Sequence, residues 1–571
     1  MLAALAWSAV TLLSGGFVAR VAGWSLASRS PLRPLVLATV LAFAARWLLG
    51  AASFNAWIGW VAGDRSRRAG RLAMVLALAT LVIATAWNTR AVGGSDSSCY
   101  ALQAGALARG QVALPPVFSE LPPGMSPAAM APIGFIPSPA PPHAAVPICA
   151  PGLAALMAPA FLVHRELVFL IVPAFAALLV WCTFALGRAL DDETTGLGAA
   201  LLLACSPIFL YQAVQPMSDV PAAALWLAAF VFCVRGTVAA SVAAGFAASL
   251  AVFARPNLAV LAILLPLVLV KIGGSHRLSE KRWITPFLGL VAGAVPVGIA
   301  MLAINAARYG SPLASGYGST DALFAWAHVA PNLARYPRWL IATHSPIVLL
   351  AVAGPWVLWR RGRGVEALVA TAAIGATVAT YLAYTVFDDW WYLRFLLPAL
   401  PLVLLFVVAT LRAVAGRAIA IVICALLAGW YLDVAHDRHV FALAGLESRF
   451  RITGAHAARA FPEKTVVFTV QESGALRFYA DVPTLAWDSI DPSALDEAIA
   501  WFGARGFTAL VALEDAEEGD FRRRFADESA GQLDWPAMVE VHAPVRVRIY
   551  DPRERDRYRA GVRRETEHIW R

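Results

Sequence analysis

The sequence is short of charge and almost devoid of lysine. Of its 571 residues, 15% are charged and 59% hydrophobic, with a mean hydropathy of +0.65. Soluble globular domains carry about 25% charged residues, so that class is excluded and a polytopic membrane protein is expected. Lys271, Lys281 and Lys464 are the only lysines, and arginine supplies the rest of the 46 basic residues. With the alanine-rich composition, this points to a GC-rich, bacterial genome. The net charge of +9 is not a nucleic-acid footprint, because much of it sits in short loops between apolar runs, where it sets topology. The six cysteines form no CxxC pair, which excludes a zinc site of that kind. Cys182, Cys205, Cys233 and Cys424 lie inside apolar runs and read as buried apolar residues. No internal repeat is evident, so an inverted-repeat transporter gets no support. The first apolar run is followed by many more and reads as a span, not a cleavable signal.

What is present is a succession of apolar runs: 2–19, 34–60, 72–88, 166–187, 194–212, 219–235, 239–254, 256–271, 284–306, 340–359, 365–387, 394–411 and 417–434. At about 20 residues per crossing these predict about 13 transmembrane helices. The expected organisation is additional N-terminal helices over 1–71, a membrane domain over 72–435, and a domain outside the membrane over 436–571. In the last segment the charge rises, and strand-like runs at 465–470, 508–513 and 545–550 alternate with a helical pattern at 493–506, which predicts a small α/β fold. It contains no glycine-rich phosphate loop and no catalytic triad pattern. The basic stretches 64–71, 275–282 and 360–364, with Arg188, Arg235, Arg412 and Arg417, fall on one side, which the positive-inside rule makes cytoplasmic. Arg20, Arg29 and Arg33 run against that assignment. The loop 89–150, the turn 215–219, the loop 307–338 and the segment 388–394 then face the other side, together with Arg255.

The chemistry-bearing residues gather on that outer side. GGSDSSCYALQAG opens the loop 89–150, with Asp96 at the end of a span and Tyr100 four residues on. Gly93 and Gly94 permit a sharp turn, and Ser95, Asp96 or Ser97 suits the N-cap of a helix lying along the membrane surface. Asp219, in QPMSDVPAAAL, is accounted for equally by a helix cap ahead of Pro221 or by a site shared with Asp96. Arg255 precedes Pro256, and Arg394 follows Trp390, Trp391 and Tyr392. Arginine at an outer span end is either snorkelling or holding a phosphate, whose oxygens match the paired donors of a guanidinium. The aromatic trio suits an interfacial belt or a platform for a sugar ring. Cys99 and Cys149 bracket the proline-rich part of the outer loop. A disulfide between them, permitted in an oxidising compartment, and two free cysteines are both open.

Taken in order, these features resemble the C-type membrane glycosyltransferases, the superfamily of the lipid A aminoarabinose transferases and protein O-mannosyltransferases. The resemblance rests on SDSSCY, PICAPGLAAL, PMSDVP, the Arg-Pro between two short runs, YGSPLASGYG and RFLLP, across residues 72 to 434. It departs at Ser97, where many relatives place a second acid beside the first.

The resemblance implies an inverting transfer of a sugar from a polyprenyl phosphate to an extracytoplasmic acceptor hydroxyl on a glycan, lipid or protein. Asp96 would be the base, and Asp219 would orient the acceptor or support Asp96. Arg255 and Arg394, with Arg308 as a further candidate, would hold the phosphate, and Tyr100, Trp391 and Tyr392 would contact substrate. No cofactor is expected, and no metal is indicated. The expected location is the bacterial cytoplasmic membrane. The alternative is a transporter or lipid flippase without chemistry.

Overall fold

The computed structural model describes residues 65–139, 144–272 and 283–570, with the short stretches 17–21 and 24–28 and positions 36 and 50. Most of the expected spans 2–19 and 34–60 lie outside the described residues. The exception is a correction: Phe17–Val21 (β1) pairs antiparallel with Trp24–Ser28 (β2), so the end of the first expected span is extended. The β-branched Val18 and Val21 favour that conformation.

Runs rich in alanine and leucine form helices because these residues lose little side-chain freedom there, and with valine they make helices that are apolar on all sides. In chain order the main ones are α1 (Arg65–Ala86), α2 (Gly94–Ala108), α3 (Gly152–Val163), α4 (Ile171–Leu190), α5 (Glu193–Cys205), α6 (Pro207–Ala213), α7 (Asp219–Arg235), α8 (Val238–Ala254), α9 (Leu264–Ile272), α10 (Ile284–Tyr309), α11 (Val329–His344), α12 (Gly354–Arg360), α13 (Gly364–Leu382), α14 (Leu400–Asp437), α15 (Ser448–Ala460), α16 (Ser473–Ala480), α17 (Leu495–Ala504) and α18 (Asp515–Arg524).

The chain is a multi-pass membrane protein, and the expected count of about 13 crossings is not reproduced by length among the described residues. Among the described residues, 5 helices are long and apolar enough to cross a membrane, or up to 7 if each bent pair is one span. The physical reasons are local. Pro207 breaks the run 194–212 into α5 and α6, bent by 63°, and Pro346 helps turn the chain by 109° after α11, since proline removes a helix donor and clashes with the preceding turn. Pro256 opens a 3₁₀ segment, Pro256–Ile263, in place of a full α-helix. α7 and α8 have 17 residues each, about 25 Å of rise. In α14, Gly416 leaves helical geometry with φ 79° and ψ 169°, at the boundary between the runs 394–411 and 417–434.

The helices pack through small residues. A Cβ on Gly245 of α8 would overlap the Leu290 carbonyl of α10, and one on Gly293 would overlap the Val242 carbonyl; glycine at both lets the two backbones touch, as membrane helix pairs require. At one end of the bundle, Asp191 binds Arg361 (2.6 Å) and Arg412 (3.0 Å), and Asp192 binds Arg412 and Arg417 (3.2 Å to the latter). Basic residues far apart in sequence therefore share one end of the bundle. Asp219 sits at the start of α7 and Arg235 at its finish, which puts Asp219 at the opposite end.

There the loop 89–150 joins the C-terminal part of the chain. A mixed six-stranded sheet has the order β10-β8-β9-β7-β5-β6, with β5 (Thr465–Phe468), β6 (Thr484–Leu485), β7 (Thr508–Glu514), β8 (Val539–His542), β9 (Val547–Tyr550) and β10 (Glu567–Trp570). A short hairpin in the loop, β3 (Phe135–Pro137) with β4 (Ala145–Pro147), is antiparallel. The loop also enters the core beside the sheet: Met125, Ala129 and Met130 are buried with Val466, Phe468 and Trp487. Ala486 N donates to the Ala129 carbonyl (2.7 Å), and Arg477 Nη2 donates to that of Met130 (2.7 Å). Cys99 and Cys149 are joined by a disulfide with a Cα separation of 6.3 Å, tying α2 to the end of the loop.

Candidate active site

The cavity begins where α1 ends. Gly93 turns the chain against the ring of Phe450, which a Cβ there would overlap, and Gly94 takes φ 65°. These constraints make Gly93 the N-cap of α2, with no side-chain cap, and the expected capping by Ser95, Asp96 or Ser97 is not made. The Asp96 carboxylate is therefore free of its own helix. Its Oδ2 accepts a hydrogen bond from Arg394 Nη2 at 3.1 Å.

α7 follows the same pattern. Ser218 is its N-cap but caps nothing with its side chain. Its hydroxyl instead accepts from the Tyr100 hydroxyl (2.8 Å) and Arg255 Nε (3.3 Å). Asp219 is 1% exposed, with Oδ1 3.0 Å from Arg255 Nη1 and Oδ2 4.0 Å from Arg394 Nη1. Neither oxygen has the alignment of a hydrogen bond to a described residue, so Asp219 compensates the two arginines as a charge. The cap that would have explained it from sequence is absent.

Arg255 ends α8 because Pro256 follows. Its Nη1 donates to the Tyr381 hydroxyl at 3.0 Å, a hydroxyl that also accepts from Asn257 Nδ2 at 3.0 Å. The guanidinium lies 5.4 Å from the Phe395 ring centre. Arg394 stands on a 3₁₀ turn, Trp390–Leu396, 5.3 Å from the ring centres of Tyr392 and Phe395. Aromatic faces and carboxylates together make two largely buried cations tolerable.

These groups line a cavity of about 530 Å³, within the usual size of ligand pockets, about 300–1,000 Å³. Asp96, Tyr100, Asp219, Arg255, Trp391, Tyr392 and Arg394 all face it. One aromatic wall has Trp391 stacked on Tyr211 (6.0 Å, 7°) and Tyr392 stacked on Phe387 (3.9 Å, 11°). A separate apolar cleft of about 40 Å³, lined by Leu186, Phe230, Val268 and Val369 among others, carries one carboxylate, Glu366; the groups able to do chemistry belong to the larger cavity.

Arg308 is a correction. It does not line the cavity. It is fully buried at the end of α10, where its Nε donates to the Val112 carbonyl (2.6 Å) and the Tyr309 hydroxyl donates to that of Pro147 (2.6 Å). Helix α10 runs directly into contact with the loop 89–150, so its last arginine fastens that loop.

Sequence reasoning missed several walls. Ser218 was expected only as a helix cap, and Tyr317 stood inside YGSPLASGYG without being singled out. Tyr381, Tyr384 and Phe395 flank Arg255 and Arg394. Glu447, Arg449, Phe450 and Gln471 come from beyond the last membrane helix and had no local signal. Arg449 Nε donates to Glu514 Oε1 at 2.6 Å, and burial raises the Glu447 carboxyl above its ordinary range. As for a cation, Asp96, Asp219 and Glu447 are the lining carboxylates, and each is paired with an arginine.

Among solved structures, ArnT from Cupriavidus metallidurans in the apo state aligns over 86% of this chain and 98% of its own, with a TM-score of 0.51 and 13% identity. The chain folds like ArnT. The same ArnT bound to undecaprenyl phosphate aligns over 83% of this chain and 97% of its own at a TM-score of 0.47 and 13% identity. The Archaeoglobus fulgidus oligosaccharyltransferase aligns over 81% and 71%, at 0.47 and 12%. ArnT is a C-type glycosyltransferase, the class that the sequence resembles. At 13% identity the likeness to ArnT concerns the fold. No described protein family and no curated protein matches the sequence.

Proposed function

We propose that the cavity transfers a sugar from a polyprenyl phosphate to an acceptor hydroxyl, with inversion, on the outer face of a bacterial cytoplasmic membrane. The observation that carries this reading is the convergence of two acid–arginine pairs, Asp96 with Arg394 and Asp219 with Arg255, on one cavity beside an aromatic wall. The acceptor oxygen attacks the anomeric carbon as the bond from that carbon to the phosphate oxygen breaks. The proton of the acceptor passes to Asp96, which keeps Oδ1 available while Oδ2 holds Arg394. The phosphate leaves with its negative charge facing Arg394 and Arg255, whose paired donors suit its oxygens. Asp219 holds both arginines in place by charge, and Tyr100 sets Ser218 against Arg255. Trp391 and Tyr392 offer faces for the sugar. Undecaprenyl phosphate, present in one ArnT structure, is the donor class to try first. The clustering of Arg361, Arg412 and Arg417 at the far end of the bundle supports placing the cavity and the C-terminal sheet outside the cytoplasm.

The test is sugar transfer by the purified full chain from a set of polyprenyl-phosphate sugars. Asp96→Asn should lower the rate by about 10²–10⁴-fold, as for loss of a general base, with donor binding retained. Arg255→Ala should weaken donor binding instead. Full activity of a folded Asp96→Asn protein would refute the assignment.

A further inference from the structure

A second cluster lies in the C-terminal sheet, where the proposed chemistry makes no use of it. β8 and β10 pair in parallel, with Glu540 opposite His568 and His542 opposite Trp570. Residues two apart on a strand share a face, so Glu540, His542, His568 and Trp570 form one patch. The His542 Nε2 and His568 Nδ1 atoms are 2.9 Å apart, and Glu540 Oε2 is 3.6 Å and 3.5 Å from them.

We infer that Glu540, His542 and His568 form a binding site for a divalent zinc ion that staples the edge strand β10 to the sheet. Two imidazoles and a carboxylate are a zinc donor set, usually with water as fourth ligand, and tetrahedral bonds of about 2.0–2.1 Å place neighbouring donors about 3.3 Å apart. The three separations here straddle that value, so small side-chain rotations bring all three atoms onto one ion.

The surroundings hold the ligands in that pose. Glu540 Oε1 accepts from Arg546 Nη1 (3.1 Å) and Arg548 Nε (3.2 Å), which leaves Oε2 facing the histidines. Hydrogen bonds of this kind to a ligating carboxylate orient it. The indole of Trp570 stacks on His542 at 3.9 Å and 10°. The two arginines do not repel a cation unopposed: Arg546 also binds Asp515 (3.3 Å), and Arg548 binds Asp515 (2.9 Å) and Glu518 (2.6 Å). Three carboxylates therefore outnumber two guanidiniums. The purpose is visible in the strand itself. β10 has four residues, three of them exposed, at the edge of the sheet, where a strand is paired on one side alone.

The competing account of the 2.9 Å approach is a plain hydrogen bond between the two imidazoles, and a zinc titration separates the two. The untagged full chain in detergent is stripped with a chelator, exposed to zinc chloride, passed over a desalting column and assayed for metal. Hydrogen exchange is followed at residues 567–570. The wild type should retain about one zinc per chain in a tetrahedral site, and zinc should slow exchange at 567–570. His542→Ala with His568→Ala, both at the sheet surface, should abolish retention while leaving the elution volume unchanged. Equal zinc retention by the wild type and the double variant, or retention without slower exchange at 567–570, would overturn the proposal.

Discussion

At the scale of residues, Arg394 links the two halves of the cavity. One amino group bonds Asp96 at 3.1 Å, and the other lies 4.0 Å from Asp219, so a single guanidinium couples acids that begin different helices. Behind the cavity the acids behave differently. Glu517 accepts from Glu514 N (3.0 Å) and Trp487 Nε1 (3.3 Å) in a capping box at the start of α18. Its carboxyl is pushed from 4.5 to about 7 by burial, which outweighs the hydrogen bonds from Glu514 N, Gln471 N and Trp487 Nε1 that favour the charged form. Glu472, fully buried, is pushed the same way. The folded protein thus holds a proton at Glu517 that the unfolded chain releases from about pH 4.5 upward, so stability falls as pH rises through about 7. By the usual conversion, the cost approaches about 3 kcal/mol for Glu517. Glu517→Gln keeps the capping acceptor and should make unfolding measured by intrinsic fluorescence less dependent on pH across that window. An unchanged pH slope would mean that the carboxyl is already ionised in the fold.

At the scale of elements, helix α2 is held from three directions. Gly93 seats its start against Phe450, the Tyr100 hydroxyl reaches Ser218, and the disulfide joins Cys99 to Cys149. The disulfide closes a loop with a sequence separation of 50, worth about 4 kcal/mol in the chain-entropy view. Cys99→Ser with Cys149→Ser should lower the unfolding temperature by several degrees, as about 4 kcal/mol implies for a chain of this size. The same pair should speed proteolysis within 110–148, since that stretch would lose its closure. Unchanged proteolysis would show that the hairpin β3–β4 and the contacts to the sheet suffice to hold the loop.

At the scale of the whole molecule, the charges sort by end. Asp191 and Asp192 gather Arg361, Arg412 and Arg417 at one end of the bundle, while the cavity and the sheet lie at the other. Under the proposed topology, single cysteines introduced at 360–364 should resist an impermeant thiol reagent applied to intact cells. Exposed sheet-side positions such as Arg505 or Asp527 should react. The opposite labelling pattern would invert the orientation and move the proposed reaction to the cytoplasm, where lipid-linked donors facing outward are out of reach.

The local facts were legible from sequence alone. Apolar runs specify helices because hydropathy and proline act over a few residues, and the strands β5 and β9 lie within the runs at 465–470 and 545–550, while β7 covers the run at 508–513 and one residue more. Asp96, Asp219, Arg255 and Arg394 were visible because they share the outer span ends and stand in an ordered set of motifs that resembles a known family. Tertiary structure decided whatever depends on distance in space. It removed Arg308 from the cavity by running α10 into the outer loop. It added Glu447, Arg449 and Gln471 from beyond the last membrane helix, and it set His568 beside Glu540 and His542 through strand register. None of these had a signal in its own stretch of sequence, because each arises from packing between segments that are remote along the chain.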